Sequence, residues 1–234
     1  MFWGVDGCRQ GWFCVIAHSS TRFSWQIQAE LNLATLRQLG VVRLAIDIPI
    51  GLPNGLESRA CDRVARQYLP GATSRVFPVP VRGVIEQWPL NYSAANQLSR
   101  QYAGKGISHQ TFNITDKIAQ IDHQHLQTPG ASEWVYETHP EVLFAALNNG
   151  HPLPSKKTQQ GQQIRWSLLG NQALQKLYQE AVKATQRSQV QRDDILDACV
   201  CALAALAGDL ISIGPPETDS RDLPMRICVP YCWR

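Results

Sequence analysis

The sequence of 234 residues lacks an apolar run long enough to cross a bilayer and lacks a strong excess of charge, with a net charge of only +3. A transmembrane helix needs about 20 consecutive apolar residues. The N-terminus also lacks the pattern of a secretory signal, because Asp6, Arg9 and Gln10 interrupt its apolar residues. We therefore expect a cytoplasmic protein with no membrane partner. The small net charge argues against a strongly basic nucleic-acid binder but permits a local basic groove.

The sequence further lacks two cysteine pairs at the spacing of a zinc site. Cys228 and Cys232 could chelate a metal together, but no matching second pair occurs, so we predict no zinc site. The other five of the seven cysteines occur singly in apolar segments, which favours buried, reduced thiols. These five are Cys8, Cys14, Cys61, Cys199 and Cys201.

With 44% hydrophobic and 18% charged residues, the chain can bury a core. No internal repeat or linker divides it, so we predict a single domain over residues 1–234. Strands are predicted at residues 2–7, 12–18, 23–29 and 41–47 and in the stretch "EWVYE", which ends at Glu137. Helices are predicted at 31–40, 57–67, 92–102 and 113–124, from residue 140, twice within 159–186, and at 193–208. The order predicts an α/β fold with a mixed five-stranded sheet, flanking helices and a helical insertion over residues 57–130, between strands 4 and 5.

Carboxylates end two of the predicted strands. Asp6 and Asp47 each follow an apolar run and precede a glycine or proline turn. If strands 1 and 4 are neighbours, both side chains lie at the sheet edge where α/β proteins form their sites. Taken alone, Asp6 could equally be an ordinary turn residue. The sequence therefore predicts that these two carboxylates meet at one edge of the sheet.

A second acidic pair lies in the last predicted helix, where Asp194 and Asp197 are three residues apart and share a face. Asp193 is the residue we expect at the N-cap. Carboxylates that outnumber cations repel one another, and such groups bind hard divalent ions through oxygen. The alternative is that both acids only stabilise the first turn of the helix, where the positive end of the helix dipole attracts negative charge. Together with Asp6 and Asp47, the pair predicts a site for Mg²⁺ or Mn²⁺.

Three strands, a helix, a fourth strand and a late acidic helix resemble the ribonuclease H-like fold. The stretch "DILDACVCA" is similar to the Asp-x-x-Asp-Ala helix of Holliday-junction resolvases in that superfamily. "GVDGCRQGW", "DIPIGLP", "SRVFPVPVRG", "NITDKIAQID", "ETHPE" and "DDILDA" together resemble the domain-of-unknown-function family 429, regarded as predicted nucleases. The resemblance implies catalytic roles for five acids and metal-ligand roles for the first four of them. These are Asp6, Asp47, Asp194, Asp197 and Glu137.

Ribonuclease H itself has an acid on its first helix. This sequence shows no clear counterpart of it, because no acidic residue follows Glu30 in the first predicted helix. His139, after Glu137, could bind metal, carry a proton or simply start a helix.

Cations recur in and after the predicted helix 57–67. Arg59, Arg63 and Arg66 have helical spacing and share a face, which predicts a groove along a nucleic-acid backbone. The alternative is a solvated face paired with Glu57 and Asp62. Further substrate-binding candidates are Arg75, Arg82 and Lys117, with Lys157 and Arg165 as additional cations. Phe77 and Trp88 could stack on bases or belong to the core.

These observations predict a metal-dependent nuclease that hydrolyses phosphodiester bonds with two ions of Mg²⁺ or Mn²⁺. DNA and RNA are both open as the nucleic-acid partner. A phosphotransferase of the sugar-kinase or acetate-kinase type is the first alternative, since "DGCRQGW" resembles the phosphate hairpin of those enzymes. However, a clear second nucleotide-binding half and a Gly-Gly adenosine motif are lacking. The second alternative is a non-catalytic ribonuclease H-like scaffold. The sequence leaves the oligomeric state open, and a homodimer is among the states we consider.

Overall fold

The computed structural model describes residues 1–233. Within them, a five-stranded sheet has the order β3-β2-β1-β4-β5. Its strands are β1 (Phe2–Cys8), β2 (Gly11–Ser19), β3 (Arg22–Gln28), β4 (Arg43–Asp47) and β5 (Val135–Glu137). The first three strands are antiparallel neighbours, whereas β4 is parallel to β1 and β5 is parallel to β4. This mixed α/β sheet agrees with the ribonuclease H-like sheet expected from the sequence.

Helices cover both faces of the sheet, which explains why β1 and β2 are apolar on both sides. One core lies around Phe13, Val15 and the last helix, and the other lies around Val5 and Ile46. The helices are α1 (Leu33–Gln38), α2 (Ala60–Gln67), α3 (Arg82–Ile85), α4 (Tyr92–Ala103), α5 (His109–Gln127), α6 (Pro140–Leu147), α7 (Gln159–Leu168), α8 (Gln172–Ala184) and α9 (Arg192–Leu206). As predicted, α2 to α5 form a helical insertion between β4 and β5. None of the helices in residues 1–233 has the length and apolarity to cross a membrane.

The close approach of α9 to β1 depends on small residues. A Cβ on Gly4 would lie 1.9 Å from the backbone nitrogen of Ala202 and 2.4 Å from the carbonyl oxygen of Ala198. Glycine on the strand and alanine on the helix therefore let the two backbones pack directly against each other. This contact fixes where the first turns of α9 lie relative to the end of β1.

Several predicted helix starts differ from the structure, and α5 begins at His109 rather than at the predicted residue 113. Residues 57–59 lie outside α2, because Arg59 has an extended backbone at the N-cap. At α9 the N-cap is Gln191 rather than Asp193. The backbone N–H of Gln191 donates to Oδ2 of Asp194 at 2.9 Å, so Asp194 closes the start of the helix from its first turn.

The C-terminal part adds a small sheet that the sequence did not predict, in which β6 (Leu210–Ser212) pairs antiparallel with β7 (Cys228–Pro230). Cys228 is buried in β7, and Cys232 is exposed. All seven cysteines are free thiols, and the five single ones are buried as predicted.

Candidate functional site

Three carboxylates meet at the end of the central strands. Asp6 is the direct register partner of Asp47 on the parallel strand β4, which confirms the predicted placement of both at one sheet edge. Asp197 reaches the same point from α9, because Gly4 allows that helix to lie against β1. One oxygen from each carboxylate lies within 4.8 Å of the other two. We call Asp6, Asp47 and Asp197 the acid triad.

The acid triad is shielded from water. Asp6 is 8% exposed and Asp197 is 2% exposed, while Asp47 is half-buried. Burial raises the pKa of all three carboxyls, and the charges of the neighbouring carboxylates raise it further. The Oδ1 atom of Asp197 is buried with no hydrogen-bond donor among the described residues. A buried oxygen without a hydrogen-bond partner lowers the stability of the fold. A positive charge next to the triad would therefore stabilise it.

Asp194 lies one turn before Asp197 but outside the group of ligand atoms within 4.8 Å. Burial is the main cause that raises its pKa to about 6, and the charges of Asp193 and Asp197 add to the effect. Its Oδ2 accepts the Gln191 N–H described above. Asp194 therefore lines the site as a carboxyl that titrates close to neutral pH, beside the triad rather than within it.

Lys156 contacts the triad. The sequence did not predict this role, and the cation expected near the site was its neighbour Lys157. Its Nζ donates to Oδ2 of Asp197 at 2.6 Å and lies 3.5 Å from Oδ2 of Asp193. The surrounding carboxylates raise the pKa of Lys156 and outweigh burial, so the ammonium stays charged. The adjacent lysines at 156 and 157 are a weak signal, because nothing in their spacing shows which one faces the acids.

Glu137 and Arg59 form a buried pair instead of offering a free acid and a free cation. Arg59 is 2% exposed, and its two terminal nitrogens each donate to a Glu137 carboxylate oxygen at 2.7 Å. Arg59 also pairs with Asp62, but both side chains are buried, so the pair is not part of the solvated face that the alternative interpretation expected. The same carboxylate accepts the N–H of Ile50 at 2.7 Å, and Arg59 donates to the carbonyl oxygens of Ile50 and Gly51. The pair thus holds the turn that follows Asp47.

The structure corrects the predicted shared arginine face. Arg63 is exposed and Arg66 half-buried, but Arg59 points inward, so the three do not form one exposed row. Arg82 is buried and paired with Asp122 and Asp219. Arg165 is buried too and holds Glu141 with two hydrogen bonds of 2.7 Å. Helical spacing did not apply to Arg59, because this residue lies at the N-cap of α2 and not within the helix.

A cavity of about 680 Å³ opens over the acid triad. Its lining includes both carboxylates and cations, together with Phe77. The cations are Arg9, Arg59, Arg75, Lys117, Lys156 and Lys157, of which Arg59 is the one paired with Glu137. Trp88 does not line it and instead packs against Phe112 and donates to Asp116. The cavity therefore combines an acidic floor with positively charged walls that suit a phosphate.

Two wall residues are held in place by specific contacts. Lys117 on α5 crosses the end of β1, where a Cβ on Gly7 would lie 2.8 Å from its Cδ. Arg75 is paired with Glu141. His139 also lines the cavity, and its Nε2 lies 3.3 Å from the Arg75 carbonyl oxygen. Burial lowers the pKa of His139, so its ring is neutral, and it is not part of the triad's ligand group.

A family model for proteins of unknown function, DUF429, matches residues 4–218. The chain belongs to the DUF429 family. The part of this DUF429 chain that matches includes the acid triad, Asp194 and Glu137, and it ends before β7. No curated protein and no solved structure matches the chain.

The donor set of this DUF429 chain fits a hard divalent cation. Carboxylate oxygens are the ligands that Mg²⁺ and Mn²⁺ prefer, and the triad offers three that already lie close together. The Oδ1 atom of Asp197 has no hydrogen-bond partner and is therefore free to bind such an ion. The residues that could hold it are Asp6, Asp47 and Asp197, with Asp194 at the margin.

Proposed function

We propose that the protein binds Mg²⁺ or Mn²⁺ through the acid triad and hydrolyses phosphodiester bonds of a nucleic acid. The observation that carries the proposal is the convergence of three carboxylates from three separate elements, two buried and one half-buried, with ligand atoms within 4.8 Å. The repulsion among such carboxylates destabilises the fold, so their presence is best explained by a cation that they bind. The free cysteines also fit a reducing compartment, and we propose the cytoplasm.

The wall residues supply the other parts of the reaction. Lys117 and Lys157 offer positive charge for the phosphates that flank the scissile bond, and Phe77 offers a ring against which a base can stack. Arg75 lies on the same wall but is already paired with Glu141. When bound, the divalent ion would lower the pKa of the attacking water and offset the negative charge of the phosphate.

Hydrolysis forms one bond from the water oxygen to phosphorus and breaks the ester P–O bond on the opposite side. The water loses a proton as it attacks, and the leaving oxygen gains one from solvent. Asp194 is suited to accept the first proton, because its pKa of about 6 lies close to neutral pH. Glu137, which the resemblance placed among the catalytic acids, instead positions Asp47 through its hydrogen bonds to Arg59 and Ile50.

The test has two parts, metal binding by calorimetry and cleavage of labelled single-stranded DNA, duplex DNA and RNA. We expect Mn²⁺ binding and metal-dependent cleavage by the wild-type protein, and loss of both in Asp6→Asn. Asp209→Asn is the matched control, because that acid is 94% exposed at the end of α9. Equal cleavage by Asp6→Asn and the wild-type protein would contradict the proposed mechanism.

The alternatives give different results in the same experiments. A phosphotransferase would bind ATP and show a thermal shift with it, whereas a scaffold would bind neither Mn²⁺ nor ATP while remaining folded. The proposed site needs one chain only, since β1, β4 and α9 of a single chain form the triad. A homodimer stays a prediction that light scattering can test.

A further inference from the structure

Lys156 is a cation delivered to the acid triad by a loop rather than by a helix or strand. It lies between α6 and α7, and its Nζ is 2.6 Å from Oδ2 of Asp197. The side chain is 36% exposed, so the ammonium is at the boundary between the buried acids and the open cavity. Asp197 thus has one oxygen occupied by Lys156 and one, Oδ1, without a partner.

The backbone of this loop is held firmly. Arg165, which is tied to Glu141 on α6, donates to the carbonyl oxygen of Pro154 at 2.9 Å. The next carbonyl oxygen, of Ser155, lies where a Cβ on Gly161 would be only 2.1 Å away. The N–H of Thr158 also donates to the Ser155 carbonyl oxygen at 3.0 Å, which closes the turn around Lys156. Movement of the Lys156 ammonium is therefore left to its four-carbon side chain.

Two other cations of the cavity have partners outside the triad. Arg75 is paired with Glu141, and Lys117 lies over the ring of Trp12 with its Nζ 5.7 Å from the centroid. Lys156 instead forms its ion pairs with acids of the site itself. A bound divalent ion would repel the ammonium from Asp197, and an incoming phosphate would attract it.

We propose that Lys156 neutralises the acid triad until a divalent ion binds, and then contacts the substrate phosphate as a further catalytic residue. This inference rests on the proposed function, because it assigns a second cation to the same site. In the metal-free protein the ammonium offsets part of the repulsion among the carboxylates. After metal binding it lies within reach of the cavity, where it stabilises negative charge on a non-bridging phosphate oxygen as the P–O bond breaks.

The first experiment measures Mn²⁺ affinity by calorimetry without substrate. In Lys156→Gln we expect the dissociation constant for Mn²⁺ to fall by about tenfold, because a unit charge that repels the ion has been removed. Lys176→Gln is the control, since that lysine has the same charge, is 77% exposed on α8 and lies outside the cavity lining. Lys156→Arg retains the charge and should bind Mn²⁺ as the wild-type protein does. Unchanged or weaker Mn²⁺ binding by Lys156→Gln would overturn the first role.

The second experiment measures cleavage at saturating Mn²⁺. Lys156→Gln should lose about a hundredfold in kcat, the usual effect of removing one group that stabilises transition-state charge. Turnover equal to that of the wild-type protein would overturn the catalytic role of Lys156. Should Lys156→Gln fail to fold, Lys156→Met, which keeps the apolar stem, replaces it in both experiments.

The same experiments distinguish failure of the proposed function from failure of the role assigned to Lys156. A wild-type protein that binds no Mn²⁺ would overturn both proposals together. A wild-type protein that binds Mn²⁺ but cleaves no nucleic acid would overturn the nuclease and the catalytic role of Lys156. In that case tighter Mn²⁺ binding by Lys156→Gln would still support its neutralising role.

Discussion

Replacing Asp6 by asparagine should change the stability of the protein in opposite directions with and without metal. Asparagine keeps the shape and the oxygen that accepts the Gly7 N–H at 2.7 Å, but it removes one of three neighbouring charges. Two unit charges 4.8 Å apart repel by about 3 kcal/mol at an effective dielectric constant near 20. Lys156 and partial protonation reduce this repulsion, and we expect Asp6→Asn to stabilise the metal-free protein by about 1–2 kcal/mol.

In EDTA at pH 8 that gain should raise the melting temperature of Asp6→Asn above the wild-type value by about 2–8 °C. The sign follows from the raised pKa of Asp6 in the folded protein. Well below the ordinary aspartate pKa of about 3.9, the carboxyl is protonated in both the folded and unfolded states, and the charge costs no stability. As the pH rises towards the folded-state pKa, the wild-type protein loses stability relative to Asp6→Asn.

With Mn²⁺ at a hundredfold excess over its dissociation constant, the wild-type protein should gain about 2.7 kcal/mol and Asp6→Asn almost nothing. The order of the two melting temperatures therefore reverses. Differential scanning calorimetry in EDTA and in Mn²⁺ measures both values, and Asp209→Asn should follow the wild-type protein throughout. A lower melting temperature for Asp6→Asn in EDTA, or an equal shift with Mn²⁺, would refute the reasoning.

Three further predictions concern the site and its supports. The Mn²⁺ affinity should rise from pH 5 to pH 8, because bound metal requires ionised carboxylates and Asp194 has a pKa of about 6; calorimetry at several pH values tests this, and a flat profile would contradict it. Gly4→Ala should destabilise the fold and weaken Mn²⁺ binding, since its Cβ would lie 1.9 Å from the α9 backbone, whereas Gly55→Ala, with its nearest atom at 3.5 Å, should do neither. Arg59→Gln should lower the free energy of unfolding by about 3–5 kcal/mol in a urea titration, because it removes the partner of a buried carboxylate. Arg63→Gln should change it by less than about 0.5 kcal/mol, and equal losses in the two variants would refute the buried-pair account.

The acids of β1 and β4 could be predicted because their signal is local. An apolar run followed by Asp and a glycine or proline turn marks the end of a buried strand, and the parallel pairing then brings Asp6 beside Asp47. The i, i+3 spacing likewise placed Asp194 and Asp197 on one face of α9. The spacing could not show which of the two acids reaches Asp6 and Asp47. That depends on how α9 packs against β1, and the packing brings Asp197 to the triad.

Lys156 and Arg59 could not be assigned from the sequence for a different reason. The approach of Lys156 to Asp197 depends on a loop anchored by Arg165, which is a contact between distant parts of the chain. Arg59 has the helical spacing of an exposed row, but its inward orientation is set by Glu137, 78 residues away. Such tertiary contacts leave no periodic pattern. The short strands β6 and β7 are similarly defined by their pairing rather than by their composition.

The most direct test of the account is a crystal structure of the protein soaked in Mn²⁺, with anomalous scattering used to locate the metal. The account predicts a manganese peak coordinated by Asp6, Asp47 and Asp197, with the Lys156 ammonium displaced from Asp197. No peak at the triad, with Lys156 still bound to Asp197 at saturating Mn²⁺, would contradict it.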